Sequence, residues 1–381
     1  MPDNITYRIF ENIGDVDISE TDIWDYDQAV LRQLLIDHTA SAKARKEKED
    51  PNIRVNIFWA TSDYEQRGEG YGYHDQIMPE KIVGENGRVI MPRVLKDRQL
   101  QIARSKDKAE VFTPSWVCNA QNNLIDEAWF GRKDVFNREV VNEDGTHTWI
   151  PTEGKIEFPE GKSWKKYVSD NRLEITCGEA PYLVSRYDTT TGEPIPLTHR
   201  IGLLDRKLRI VSENCDTTTE WLEMARKAYQ HTYGYEWQGD NLLLAREALL
   251  YTFIEYYIDK FGQSKARNKV PTQDSIEGIA RIIAWNIWQM DGLRMVIPDS
   301  CDNVYEENLF GERAKQECQA CKTGSMTGHI GTKCLIRDWN KKKPAGWEPA
   351  KGEDPKSSPW QKIEFSSLLN RNQNEEEPEN E

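Results

Sequence analysis

The chain has 381 residues, 38% of them hydrophobic and 30% charged, and its formal net charge is −14, from 50 basic and 64 acidic residues. Its 13 Trp, 15 Tyr and 10 Phe supply core material that a wholly disordered chain would lack. The excess of acid argues against a nonspecific coat on DNA, because neutralising phosphates requires Lys and Arg.

Segments that would direct the chain to a membrane or out of the cell are not found in the sequence. No apolar run approaches the length of a membrane span, and residues 1 to 20 lack a basic start followed by an apolar stretch. Seven cysteines, an odd number, favour reduced thiols. We therefore expect a soluble, cytoplasmic protein with no membrane partner.

Basic residues are concentrated in one short segment despite the acidic total. Such a segment can face DNA or can form an ordinary solvated surface. The last seven residues, by contrast, hold five glutamates, and the final ten are predicted to be disordered. The basic segment consists of Arg93, Lys96, Arg98, Arg104, Lys106 and Lys108.

The N-terminal 50 residues are predicted to be mainly helical. Apolar residues recur at helical spacing within residues 1–50 until Pro51 ends the pattern. Residues 53–60 predict a short strand. The three glycines within residues 68–72 predict a plain loop, since their spacing matches no phosphate-binding pattern.

The middle of the chain predicts alternating helices and strands. A helix is expected over 109–130, with Pro114 in its first turn and Thr113 as a capping residue. Residues 137–164 predict a hairpin and connector, and residues 172–176 a compact strand. Further helices are expected at 220–233, 241–261 and 273–288.

The segment that follows the predicted strand at 172–176 has the pattern of strand, Gly-containing turn and helix. α/β sheets use this arrangement to present backbone N–H groups and a helix N-terminus to a ligand. An acid at the strand end, Glu174, can meet the amino group of an amino-acid cofactor, and Gly178 lets the backbone approach it. A turn of this kind occurs in many folds.

The order of further motifs resembles the adenine-specific (N6) DNA methyltransferases of bacterial restriction–modification systems in which the cofactor half precedes the catalytic half. These motifs are Phe-Thr-Pro at 112–114, the turn at 174–180, a Gly-x-Glu ending at Glu236, and Asp291. The resemblance covers roughly residues 90 to 295. It also extends to the modification subunits, labelled restriction endonuclease subunit M, of such systems.

This resemblance implies an α/β, Rossmann-like S-adenosylmethionine-dependent methyltransferase fold, incomplete, with a helical N-terminal extension and DNA as a partner. It assigns Glu236 to the ribose hydroxyls and Asp291 to the adenine amino group of S-adenosylmethionine. The other implied cofactor residues are Phe112, Thr113, Pro114, Glu174, Cys177, Gly178 and Ala180. Each motif by itself also fits an ordinary structural role.

Two residues depart from the family pattern in the central turn. Ile175 stands where the family usually has Pro, and Ala180 stands where it has the second Gly. If the backbone at that position needs a positive φ, the Cβ of Ala180 adds strain.

The catalytic tetrapeptide of the family, Asn-Pro-Pro followed by Tyr or Phe, does not occur in these 381 residues. In the family its Asn and a backbone carbonyl accept hydrogen bonds from the target amine, and its aromatic ring stacks on the flipped base. We therefore identify no catalytic residue. We expect a second polypeptide that carries the motif, or a specificity or restriction subunit, as partner. The alternatives are a non-enzymatic DNA-binding accessory and a truncated, inactive methyltransferase.

Cysteines and one histidine near the C-terminal end have the residue types of a tetrahedral zinc site. Cys318 and Cys321 form a Cys-x-x-Cys pair, His329 and Cys334 complete the set, and Cys301 is another candidate ligand. Unligated thiols fit the same residues. Four protein ligands would leave no open position, so a metal here would be structural.

The sequence thus predicts four regions. They are an N-terminal extension (1–108), an S-adenosylmethionine-binding domain (109–298), a Cys-rich candidate zinc module (299–340), and a linker with an acidic tail (341–381).

Overall fold

The computed structural model describes residues 8–97, 101, 104, 113–262, 269–307, 312–344 and 358–368. Over these residues the chain is mixed α/β, with small sheets among many helices. The chain divides into two units. Unit 1 comprises Met1–Leu34, Met78–Gly234 and Asp240–Ile283, and unit 2 comprises Leu35–Ile77, Tyr235–Gly239 and Ala284–Glu381. None of the described helices is long and apolar enough to cross a membrane.

The described residues form ten α-helices and nine strands. The helices are α1 Glu20–Tyr26, α2 Gln28–Leu35, α3 His38–Lys48, α4 Ser115–Phe130, α5 Trp164–Val168, α6 Leu203–Asn214, α7 Thr218–Gln230, α8 Gly239–Phe261, α9 Gln273–Asn286 and α10 Gln319–Thr323. The strands are β1 Asn137–Val141, β2 His147–Pro151, β3 Arg172–Glu174, β4 Thr232–Glu236, β5 Ile287–Gln289, β6 Tyr305–Glu307, β7 Arg313–Lys315, β8 Leu335–Lys342 and β9 Trp360–Glu364.

Short polar side chains begin several of these helices. The Ser19 hydroxyl accepts a hydrogen bond from the backbone N–H of Asp22 at the start of α1. Asp37 accepts two from the first turn of α3, and Thr217 accepts one from the N–H of Glu220 in α7. These side chains satisfy donors that a helix start leaves unpaired.

Three of the four small sheets are two-stranded and antiparallel: β1 with β2, β6 with β7, and β8 with β9. The fourth has the order β3-β4-β5, and β3 runs parallel to β4 with Leu173 opposite Tyr233. The boundary between the units falls inside β4, after Gly234. In unit 2 the carbonyl of Glu236 accepts a hydrogen bond from Met290, the residue after β5, at 2.9 Å.

The hairpin predicted within 137–164 is confirmed as β1 and β2. The strand predicted at 53–60 is wrong, because this segment makes only isolated bridges at Asn56 and Phe58. The backbone of Ile57 still pairs on both sides, donating to the carbonyl of Leu35 and accepting from the N–H of Ile77, and side chains add to this pairing. Gln76 accepts from the N–H of Asn56 at 2.8 Å, and Gln289 accepts from that of Phe58 at 3.1 Å.

Each unit has an aromatic core. In unit 1 the ring of Trp221 is fully buried against Phe253, at 5.7 Å between centroids, and Tyr257, at 5.6 Å. In unit 2 the fully buried Trp59 lies 4.6 Å from the ring of Tyr64, and its indole N–H donates to the carbonyl of Gly70. Burying such large rings contributes favourably to the folding of both units.

Unit 1 also buries two acids near each other. Glu20 in α1 and Glu247 in α8 are 1% and 0% exposed, and none of their carboxylate oxygens has a hydrogen-bond partner among the described residues. Burial, and then the charge of Glu247, raise the pKa of Glu20 well above its usual value. Burial likewise raises the pKa of Glu247.

We expect this pair to destabilise the folded chain as the pH rises. The folded-state pKa values lie above the unfolded ones, so stability is greatest when both groups are protonated and is lost as the pH increases through the raised values. A tenfold difference in acidity between the folded and unfolded states corresponds to about 1.4 kcal/mol. Urea unfolding should give a lower free energy of unfolding at about pH 8 than at about pH 5 for the wild type, and a much smaller difference for Glu20→Gln/Glu247→Gln. The exposed Glu80→Gln is the control. An equal difference in all three proteins would contradict the expectation.

Candidate functional site

The turn after β3 has an unusual backbone. Thr176, Gly178 and Ala180 have φ values of 47°, 53° and 61°, so every second residue is left-handed. Ala180 therefore does occupy a position that favours Gly, at a cost on the order of 1–2 kcal/mol. Its side chain is fully buried, as is nearly all of Cys177.

The Glu174 carboxylate holds this turn in place. It is 8% exposed, and its two oxygens accept hydrogen bonds from the N–H groups of Tyr182, at 3.3 Å, and Leu183, at 3.1 Å. Leu183 and Val184 also donate backbone hydrogen bonds to the carbonyl of Ala180. These contacts make Glu174 a positioning group for the turn.

The Phe-Thr-Pro segment precedes α4. Phe112 lies outside the described residues. Pro114 is the N-cap of α4 and makes no side-chain cap, so the prediction that Pro114 lies in the first turn and that the Thr113 hydroxyl caps the helix is wrong. The carboxylate of Asp188 caps the helix instead, because it accepts a hydrogen bond from the backbone N–H of Ser115 at 2.8 Å.

Asp188 belongs to none of the motifs in the sequence. Burial would raise the pKa of its carboxyl, but hydrogen bonds from Thr190 and Ser115 lower it overall. The next residue, Thr189, donates from its hydroxyl to the carbonyl of Thr113 at 3.2 Å. The start of α4 is thus fixed by a loop about 75 residues away along the chain, a separation no local motif could reveal.

A cleft of about 670 Å³ opens beside this helix start in unit 1. Its walls include Pro114, Asp188 and the indole of Trp116, which stacks on the ring of His147 at 4.1 Å between centroids. Clefts with aromatic walls and a few polar groups are the usual form of small-molecule sites.

Glu236 ends β4 in unit 2. Its side chain is 9% exposed and accepts a hydrogen bond from the N–H of Gln238 at 3.2 Å. Gly239 follows and begins α8, with its N–H donating to the carbonyl of Trp59 at 3.0 Å. A Cβ on Gly239 would lie 2.1 Å from the carbonyl oxygen of Phe58, so only Gly fits here.

Asp291, two residues beyond β5, has the contacts of a turn-forming acid. Its Oδ1 accepts from the N–H groups of Leu293, at 2.9 Å, and Arg294, at 3.1 Å. Its Oδ2 lies 3.3 Å from Nε of Arg294. The assignment of Asp291 to a cofactor stays a prediction.

The basic segment at 93–108 does not form one exposed face. Lys96 and Arg104 are buried against Asp240 in α8, with N–O distances of 3.2 Å and 2.9 Å. The backbone N–H of Arg93 donates to Glu179 at 2.7 Å. Arg98, Lys106 and Lys108 lie outside the described residues. Two of the six basic groups therefore stabilise unit 1 and are unavailable for DNA phosphates.

Three thiols and one imidazole converge in unit 2. Cys301, Cys318, Cys321 and His329 each offer one ligand atom, and these atoms lie within 4.8 Å of one another. Cys334 is outside this group: its thiol is fully buried and donates to the carbonyl of Gln289 at 3.5 Å. Burial raises the pKa of Cys334 well above its usual value. Cys301, the additional candidate in the sequence, takes the place that was predicted for Cys334.

The candidate residues thus belong to separate parts of the chain. Unit 1 holds the turn after β3 and the start of α4. Unit 2 holds Glu236, Asp291 and the Cys/His cluster. No protein-family model, no curated protein and no solved structure matches this chain.

Proposed function

We propose that this chain is the S-adenosylmethionine-binding part of an adenine-specific (N6) DNA methyltransferase of a bacterial restriction–modification system, with a Rossmann-like fold. One pattern carries the proposal. Within unit 2 an acid stands at or just beyond the carboxyl end of two strands: Glu236 ends β4, and Asp291 lies two residues beyond β5. Ligands of open α/β sheets bind outside the carboxyl ends of the strands.

The three acids would contribute differently to cofactor binding. Glu174 holds the turn, since both its oxygens accept from Tyr182 and Leu183. Asp291 is engaged by its own turn and by Arg294. We assign Glu236 to the two ribose hydroxyls, because it ends β4 and its carboxylate is a hydrogen-bond acceptor, as the contact from the N–H of Gln238 shows.

The turn at 174–180 supports the same proposal. Left-handed residues in a turn can direct backbone N–H groups into a concavity that holds an anionic group. In S-adenosylmethionine that group would be the carboxylate of the methionine part. The left-handed Gly178, without a Cβ, would allow the cofactor to approach the backbone closely.

Methyl transfer would require residues from outside these 381 positions. The chain has no Asn-Pro-Pro-aromatic tetrapeptide to orient the flipped adenine. We therefore propose that the acceptor site lies on a second polypeptide and that DNA is contacted by the assembly.

Calorimetric titration of the purified chain with S-adenosylmethionine tests the cofactor assignment. We expect saturable binding of one cofactor per chain and at least about a tenfold weaker Kd for Glu236→Gln, equivalent to about 1.4 kcal/mol. The exposed Glu223→Gln in α7 should bind like the wild type. No heat from a folded chain, or equal binding by Glu236→Gln, would overturn the assignment.

The same preparations distinguish the alternatives when DNA is added. We expect labelled methyl groups to reach adenine only after a polypeptide carrying the catalytic motif is supplied. Transfer by the chain alone would refute the need for that partner. DNA binding without cofactor affinity would favour a non-enzymatic accessory.

A further inference from the structure

We propose that Cys301, Cys318, Cys321 and His329 bind one zinc ion with a structural role in unit 2. This proposal is independent of the proposed methyltransferase function, because it uses none of the residues assigned to the cofactor. The four ligands come from two segments, one at Cys301 and one spanning residues 318 to 329. A metal would therefore cross-link parts of the chain that are 28 residues apart at their farthest.

The distances fit a tetrahedral site. The Nδ1 atom of His329 lies 3.8 Å from Sγ of Cys301, 3.6 Å from that of Cys318 and 3.4 Å from that of Cys321. Zn–S bonds of about 2.3 Å and a Zn–N bond of about 2.0–2.1 Å, set at tetrahedral angles, place sulfur and nitrogen about 3.6 Å apart. Of the three distances in this structure, one equals that value and the other two differ from it by about 0.2 Å.

The histidine is held in the tautomer that a metal ligand needs. Its Nε2 lies 2.8 Å from the carbonyl oxygen of Ser325. A carbonyl can only accept, so Nε2 carries the proton, and the lone pair of the neutral ring is on Nδ1, toward the three thiols. A backbone carbonyl bonded to the far nitrogen is the usual outer support of a metal-bound imidazole.

The loop around the cluster allows the two ligand-bearing segments to approach each other closely. A Cβ on Gly331 would lie 2.9 Å from both Sγ and the backbone nitrogen of Cys301, so a larger residue would separate the two segments. The segments are also joined by backbone contacts: Thr332 donates to the Ser300 hydroxyl at 3.0 Å and accepts from Ile297 at 2.9 Å. The glycine and the contacts together bring Cys301 to the other three ligands.

The donor set selects the ion and its role. Three thiolates and one imidazole suit zinc and exclude hard cations such as Mg²⁺ and Ca²⁺, which prefer oxygen. Four protein ligands leave no position for water or substrate, which is the mark of a structural site. Val296, Ala320 and Ile330 pack against the cysteines of the cluster.

Metal analysis after equilibrium dialysis of the full chain against Zn²⁺ tests the proposal. We expect one zinc per chain. Cys301→Ser should weaken binding at least about a hundredfold, since even outer partners of metal ligands contribute about 10–100-fold. Cys334→Ser is the matched control, a buried cysteine in the same unit, and should bind like the wild type. No bound zinc, or loss on Cys334→Ser with retention on Cys301→Ser, would overturn the ligand set.

A second measurement does not depend on the folding of the Cys301 variant. Co²⁺ bound to the wild-type chain and to Cys334→Ser should give the intense visible bands of tetrahedral coordination together with thiolate charge-transfer absorption. Weak octahedral bands without the charge-transfer absorption would also overturn the site.

Discussion

Replacing Gly239 with Ala is expected to destabilise the chain by about 3 kcal/mol, at the upper end of the cost of overpacking. The new Cβ would lie 2.1 Å from the carbonyl oxygen of Phe58 and 2.9 Å from its carbonyl carbon. Phe58 cannot easily move away, because Gln289 accepts from its N–H at 3.1 Å and donates to its carbonyl at 2.9 Å.

Gly278→Ala is the matched control for that substitution. Gly278 lies in the middle of α9, and a Cβ there would have no atom within 4 Å. It should stabilise the chain by about 0.5–1 kcal/mol, because Ala is the better helix former. The denaturant midpoints of the two variants should therefore shift in opposite directions from that of the wild type. Equal midpoints would show that the backbone at Phe58 moves to accommodate the new Cβ.

Replacing Asp126 with Ala is expected to cost about 3–5 kcal/mol, the range for removing one partner of a buried ion pair. Asp126 and Arg206 are each 1% exposed and pair directly. The hydroxyl of Tyr167 also donates to Asp126 at 2.7 Å. Without the carboxylate, Arg206 would keep a buried charge that its contact to Asn119, at 2.9 Å, does not neutralise.

Two further variants distinguish the cost of leaving a charge buried from the cost of losing an ion pair. Glu277→Ala breaks the exposed pair with Arg281 in α9 and should cost less than about 1 kcal/mol. The double variant Asp126→Leu/Arg206→Met removes both charges and should recover much of the loss. Thermal or denaturant unfolding showing Asp126→Ala as mild as Glu277→Ala would mean that water reaches Arg206.

Local sequence patterns predicted the helices and strands well where the apolar residues of the pattern are also the buried ones. The helices expected at 241–261 and 273–288 are α8 and α9, with ends shifted by up to two residues. The helix α6 was not predicted, although Leu204, Leu208 and Val211 recur in it at helical spacing and are all buried. The strand β4 was partly merged into the preceding helix, and β9 lies in a segment predicted to be a linker.

The candidate sites show the same division. The Cys-x-x-Cys pair could be recognised from its spacing and His329 from its residue type alone, whereas the choice between Cys301 and Cys334 could not be made from the sequence. It depends on Gly331 and on contacts between distant segments. The role of Asp188 at the start of α4 depends on a loop far along the chain. The spacing of residues identifies candidate site residues within one segment. Contacts between distant segments determine which of these candidates lie close together in the folded chain.

Under the zinc proposal, the position of the Cys/His cluster would make the supply of metal a determinant of the chain's stability. All four proposed ligands belong to unit 2, so an ion that binds only the folded form shifts the equilibrium of that unit by mass action. Free zinc at a hundred times its dissociation constant would contribute about 2.7 kcal/mol, and depletion would remove that contribution. Under metal starvation we expect unit 2 to be the first part of the chain that opens to proteases.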